Sequence, residues 1–132
     1  MKKERKQLLT AIPVVVDFLL TTVGAIAKLI APAPMVAHYA QLGLVPYMGA
    51  LGISELILAA LFVNRATGRV GFLLLTAYLG GAIATELRQG AAIMGPVVML
   101  ALVWAAAYLR DAALFSRPKE PAQGASVPKL PA

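Results

Sequence analysis

The sequence predicts an all-α fold: an integral membrane, antiparallel four-helix bundle with a short interfacial helix between the first and second spans. Three observations predict it. Hydrophobic residues make up 60% of the 132-residue chain and charged residues only 14%, with a mean hydropathy of +0.79. A soluble domain of this size needs more polar surface than that, so lipid is the solvent that fits. The apolar residues come in long runs broken by short stretches of proline, glycine or charge, and in lipid only helices or closed barrels satisfy the backbone. Finally, ten of the twelve lysines and arginines lie in the N-terminal head, around residues 65–69, and from Arg110 onward. That distribution is a topology signal, and it places both termini in the cytoplasm.

Residues 1–7 form a basic cytoplasmic head with Lys2, Lys3, Arg5 and Lys6. The run 8–31 is too long for the apolar part of a signal peptide and lacks a small-residue cleavage site, so it reads as an uncleaved first span. Ala31-Pro32-Ala33-Pro34 ends it. A short amphipathic helix follows, with Met35, Tyr39 and Leu42 on one side, His38 and Gln41 off it, and Gly43 as its C-terminal stop. The second span runs over 46–64 from Pro46, and the third over 70–87 after the turn at Gly68. The fourth covers 93–109, with Pro96 in its first turn. Together these make a membrane domain over 8–110, followed by a disordered cytoplasmic tail over 111–132 that ends RPKEPAQGASVPKLPA.

Composition excludes several chemistries. The net charge is +6, but no basic face carries base-reading or stacking groups, so nucleic acid is not a partner. There is no cysteine, which removes disulfides, thiol redox chemistry and iron–sulfur ligation within the chain. No nucleophile–base pair, phosphate loop, dinucleotide motif or metal cluster is present, so the sequence predicts neither catalytic residues nor a metal, and no enzyme acting alone.

The candidate site comes from charges placed where lipid forbids them: Lys28, Glu55 and Asp17. On a helical wheel Asp17, Thr21, Gly24 and Lys28 share one stripe of the first span. Gly49, Gly52, Glu55 and Ala59 share one in the second, and Tyr78, Gly81, Thr85 and Arg88 one in the third. Small residues let helices approach, so that polar ones meet. Counted from the span ends, Asp17 and Glu55 both lie ~13 Å deep, which puts the two carboxyls at one level; if they meet, they share a proton. A structural reading stands beside each functional one. Lys28 and Glu55 also suit a pair that holds two helices in register, and Asp17 a neutral carboxyl bonded to a backbone carbonyl. His38 reads as an interfacial polar residue, and Tyr39, Tyr47, Trp104 and Tyr108 as an aromatic belt. Gly80-Gly81-Ala82 reads as helix packing, and Glu86 with Arg88 as a rim pair.

The order Gly24-x-x-x-Lys28-Leu29, then Met35 with a short piece ending Leu42-Gly43, then Gly52-x-x-Glu55-Leu56 and a third span with Gly81-Ala82 resembles the DoxX-like family of small four-helix membrane proteins, over about residues 10–110. That family takes its name from a subunit of an archaeal thiosulfate:quinone oxidoreductase. The resemblance implies the fold, a place in the inner (plasma) membrane, and Lys28 and Glu55 as the family-like polar residues. Three functions are open at this point. The first is a subunit of a membrane redox system whose interhelical cleft takes quinone or a similar lipid, with a partner protein of a redox complex. The second is a non-catalytic assembly factor or anchor for a partner protein. The third is a small proton-coupled transporter that uses Asp17. Membrane lipid is a partner in all three, and Gly49-x-x-Gly52 or Gly80-Gly81 suits a homo-oligomer.

Overall fold

The computed structural model describes residues 1–116. It is all-helical, with no strand among the described residues. Helix α1 covers Lys2–Ile30, α2 Ala33–Gln41, α3 Met48–Val63, α4 Gly68–Arg88 and α5 Met94–Arg110. A 3-10 turn, Val45–Tyr47, leads into α3, and another, Ala112–Phe115, follows α5.

The chain breaks where its backbone chemistry requires. Ala31 turns left-handed at φ 51° and Pro32 follows, so α1 cannot continue. Pro32 and Pro34 then open α2. Gly43, at φ 70°, closes it, and the Leu44 amide donates back to the Tyr39 carbonyl at 2.9 Å. Gly90, at φ 67°, does the same for α4, with the Ala91 amide on the Glu86 carbonyl at 2.9 Å. Only glycine takes these positive φ values without a steric cost.

Helix α1 packs against α3 and α5, and α4 packs against the same two, so the four long helices close into a ring. Glycines set the closest approaches. A Cβ on Gly52 would stand 2.9 Å from the Ala25 carbonyl oxygen and 3.2 Å from the Leu29 side chain. A Cβ on Gly71 would run into the backbone of Leu61 and Phe62. At one end of the ring Val14, Phe62, Phe72, Leu75, Leu79 and Val103 form the main apolar core with Ala106 and Ala107. The outside is also apolar: Leu19, Val23, Ile57 and Leu73 are each more than half exposed. Soluble monomers do not leave so much apolar surface in water. Lys2–Ile30, Val45–Val63 and Gly68–Arg88 are long and apolar enough to cross a membrane, while α5 is apolar but only 17 residues long. The chain is therefore a membrane protein with transmembrane helices.

Several sequence expectations need correcting. The basic head is not separate, because residues 2–7 are the first turns of α1, which also runs straight through Pro13. Pro46 lies in the 3-10 turn ahead of α3 rather than opening it. Residues 112–115 are a helical turn, with Phe115 packed 5.7 Å from Trp104, where the sequence places the start of the tail. The tail from 117 onward lies outside the described residues. Gly80-Gly81 does not pack helices within this chain: both residues are exposed and nothing lies within 4 Å of a Cβ built on either.

Candidate functional site

The stripe predicted on α1 is the inward face. Asp17 and Thr21 are fully buried, and Gly24 and Lys28 are partly so. Gly52 brings α3 against Ala25 and Leu29, and one turn later Glu55 arrives beside Gly24 and Lys28. Gly24 makes the room, since one carboxylate oxygen of Glu55 lies 3.3 Å from where its Cβ would be.

Glu55 is the centre of the site. Its Oε2 forms an ion pair with Lys28 Nζ, and the two side chains are only 12% (Lys28) and 8% (Glu55) exposed. Lys28 also donates to the Gly24 carbonyl at 3.4 Å. The Tyr78 hydroxyl on α4 sits 3.3 Å from Glu55 Oε2 and 3.4 Å from the Leu51 carbonyl, so its single proton serves one or the other. A charge pair in this setting holds because donors surround the carboxylate.

A second pair lies alongside. His38 Nε2 on α2 is 3.4 Å from Glu86 Oε1 on α4. The other oxygen of Glu86 is buried and has no hydrogen-bond partner among the described residues. Tyr39 stands near both acids. Its burial, then the charges of Glu55 and Glu86, push the phenol up to about 12, so it remains a hydrogen-bond donor.

These groups enclose a cavity of about 210 Å³ lined by Lys28, Glu55, Tyr39, Tyr78 and Glu86, with apolar walls from Leu20, Leu79 and Met99. A groove of about 370 Å³ adjoins it and shares Tyr39, Tyr78, Ala82 and Glu86. The rest of the groove is mainly apolar, with Leu42, Leu44, Leu51 and Ala77. Ammonium and phenol donors, one acceptor left over on Glu86 and an adjoining apolar slot suit an amphipathic guest with a hydrogen-bonding head.

The structure brings together Lys28, Glu55, Gly24 and Tyr78, with Gly52 behind them, and places Gly81 and Thr85 on the adjoining groove. It does not bring in Asp17 or Thr21, which line neither space. Neither Asp17 oxygen has a hydrogen-bond partner among the described residues, so it shares no proton with Glu55 and bonds no backbone carbonyl. The register explains this. Gly52 meets Ala25 and Glu55 meets Gly24, so α3 runs opposite to α1. Asp17, seven residues before Gly24, lies ~10 Å further along, level with the last turn of α3. Arg88 is exposed at the end of α4, and Glu86 pairs with His38 instead.

Sequence reasoning missed Glu86, Tyr39 and His38. Tyr78, Ala82 and Glu86 lie at i, i+4 and i+8, so one wheel position away from the chosen stripe would have found Glu86. His38 gave no local signal, because its acid lies 48 residues further along the chain.

No family model, curated protein or solved structure matches this chain.

Proposed function

We propose that the chain is a DoxX-like, four-span antiparallel bundle of the inner (plasma) membrane, with both termini cytoplasmic. In this reading it acts as the membrane subunit of a quinone-linked redox system and holds a quinone-type headgroup between its helices. The observation that carries the proposal is a cavity lined by Lys28, Glu55, Tyr39, Tyr78 and Glu86 beside a mainly apolar groove that shares Tyr39, Tyr78, Ala82 and Glu86 with it. Lys28 and Tyr39 donate to the carbonyl oxygens of the quinone, Tyr78 lines the cavity and keeps its proton on Glu55 or the Leu51 carbonyl, and the free oxygen of Glu86 accepts from the hydroxyl of the quinol. The groove takes the start of the isoprenoid tail. In this reading a partner protein supplies the electrons, since the chain has no cysteine for thiol or iron–sulfur chemistry.

The test is to purify the protein in mild detergent, quantify quinone in the extracted lipid by mass spectrometry, and titrate the emptied protein with a short-tailed quinone. Stoichiometric quinone is expected, with binding lost in Glu55→Gln and weakened in Tyr78→Phe. A Glu55→Gln protein that elutes as a folded monodisperse species and still binds quinone like the parent would sink the proposal.

The open face around Gly80 favours a second reading, an assembly factor or anchor, since small lipid-facing residues are where another helix packs closely. Gly80→Leu then abolishes partner association and leaves quinone content unchanged. The transporter reading loses ground because its carboxylate, Asp17, stands away from both spaces.

A further inference from the structure

At the end of the molecule opposite Lys28 and Glu55 lies another cavity, of about 360 Å³. Thr10 of α1, Arg65 of the α3–α4 turn, Gly68 and Arg69 of α4, and Arg110 and Asp111 after α5 frame it. Three cations therefore surround one carboxylate. Arg69 uses that carboxylate, with its Nε and Nη2 at 2.9 and 2.8 Å from Asp111 Oδ2. Arg110 is held in place from the other side, donating to the Phe62 carbonyl at 2.6 Å with its guanidinium carbon 4.7 Å from the centre of the Phe62 ring. Arg65 has neither a hydrogen-bond nor an ion-pair partner among the described residues. Two positive charges are left facing one space.

Backbone donors add to them. α4 starts at this cavity with no side-chain cap, because the Thr67 hydroxyl donates to the Leu61 carbonyl instead. The first amides of a helix are unpaired and carry the positive end of its dipole. Gly68 is what lets Arg110 lie against this helix start, since a Cβ there would collide with the guanidinium.

The surroundings say which kind of anion fits. Phe72, on the cavity wall, packs edge-on against Trp104 at 5.3 Å and Phe115 at 5.9 Å, and Tyr108 lies 5.6 Å from Phe115. Trp104 and Tyr108 are about half exposed. Exposed tryptophan and tyrosine on a membrane protein mark the headgroup level. Basic pockets between helices at that level fit anionic headgroups, and guanidinium groups fit phosphate in two-pronged fashion.

We propose that the Arg65–Arg69–Arg110 cavity binds a phosphate group, carried by an anionic phospholipid headgroup. The proposal needs the helices to lie in a membrane and is independent of what occupies the Lys28–Glu55 cavity.

The test uses the full chain, delipidated in detergent, by native mass spectrometry and thermal melting with phosphatidylglycerol, phosphatidylcholine or inorganic phosphate. Arg65→Gln is the main variant because it breaks no contact described above, and Lys2→Gln with Lys3→Gln is the control for general surface charge. Phosphatidylglycerol is expected to stay bound and raise the melting temperature while phosphatidylcholine does not. Arg65→Gln weakens phosphatidylglycerol binding about tenfold, and the head variant leaves it unchanged. Stabilisation by phosphatidylglycerol alone supports the lipid source, and equal stabilisation by inorganic phosphate supports the phosphate chemistry with a soluble source. Equal retention of the two lipids, or an Arg65→Gln protein that binds phosphatidylglycerol as tightly as the parent, overturns the proposal.

Discussion

Glu55 receives the only side-chain ion pair that the described residues form between α1 and α3, and it does so with both partners almost out of contact with solvent. Removing one member of such a pair leaves the other uncompensated, which costs about 3–5 kcal/mol, whereas replacing both with apolar groups of similar size is often neutral. Lys28→Met and Glu55→Leu made singly are therefore expected to lower the detergent melting temperature sharply, and the double variant to recover most of the loss. If the double variant melts as early as the singles, the pair is not what aligns α1 with α3. Asp17 behaves differently: it is fully buried and neither of its oxygens has a hydrogen-bond partner among the described residues, so an amide of the same shape loses no contact there. Asp17→Asn, which keeps the shape and stays neutral, is expected to fold and bind quinone like the parent. A large loss of stability in that variant would reveal a charged role for Asp17.

At the scale of helices, glycine marks two opposite situations. Gly52 and Gly71 are pressed against a neighbouring helix backbone, while Gly80 faces open space. Gly52→Ala and Gly71→Ala force helices apart and are expected to destabilise by about 1–3 kcal/mol. Gly80→Ala meets nothing and gains up to about 1 kcal/mol of helix propensity. Thermal unfolding of the three variants in one detergent checks the order, and an equal loss in all three would mean that another chain covers Gly80. The same contrast explains what could be read in advance. On α1 the stripe Asp17, Thr21, Gly24 and Lys28 was legible because polar side chains point inward in lipid. On α4 the inner face is Gly71, Phe72, Leu75 and Leu79, as apolar as the outer face with Leu73 and Leu74. In a membrane hydropathy does not separate inside from outside, so Gly81 and Arg88 drew the predicted stripe toward the exposed side. The His38–Glu86 pair was beyond reach for a different reason: it exists only once α2 folds over α4.

At the scale of the whole molecule, charge and packing make one topology testable. Thr10, Arg65, Gly68 and Arg110 border a single cavity, so the early part of α1, the α3–α4 turn and the end of α5 share one end of the ring. Lys28, Glu86 and Gly95 border the cavity at the other end, which puts the α4–α5 turn there. Lys2, Lys3, Arg5, Lys6, Arg65, Arg69 and Arg110 belong to the first end, and the positive-inside rule predicts that end to be cytoplasmic, as proposed above. The absence of native cysteine gives a clean assay, because any thiol introduced is the only one present. Ala66→Cys and Ala92→Cys replace exposed turn residues at opposite ends. A membrane-impermeant maleimide is expected to label Ala92→Cys in intact cells and Ala66→Cys only in inverted vesicles. Labelling with the two patterns exchanged would keep the bundle and reverse its orientation. Labelling of both from the same side would mean that α4 does not cross the membrane, and the bundle, the cavity at its outer end and the headgroup site at its inner end would all lose their frame.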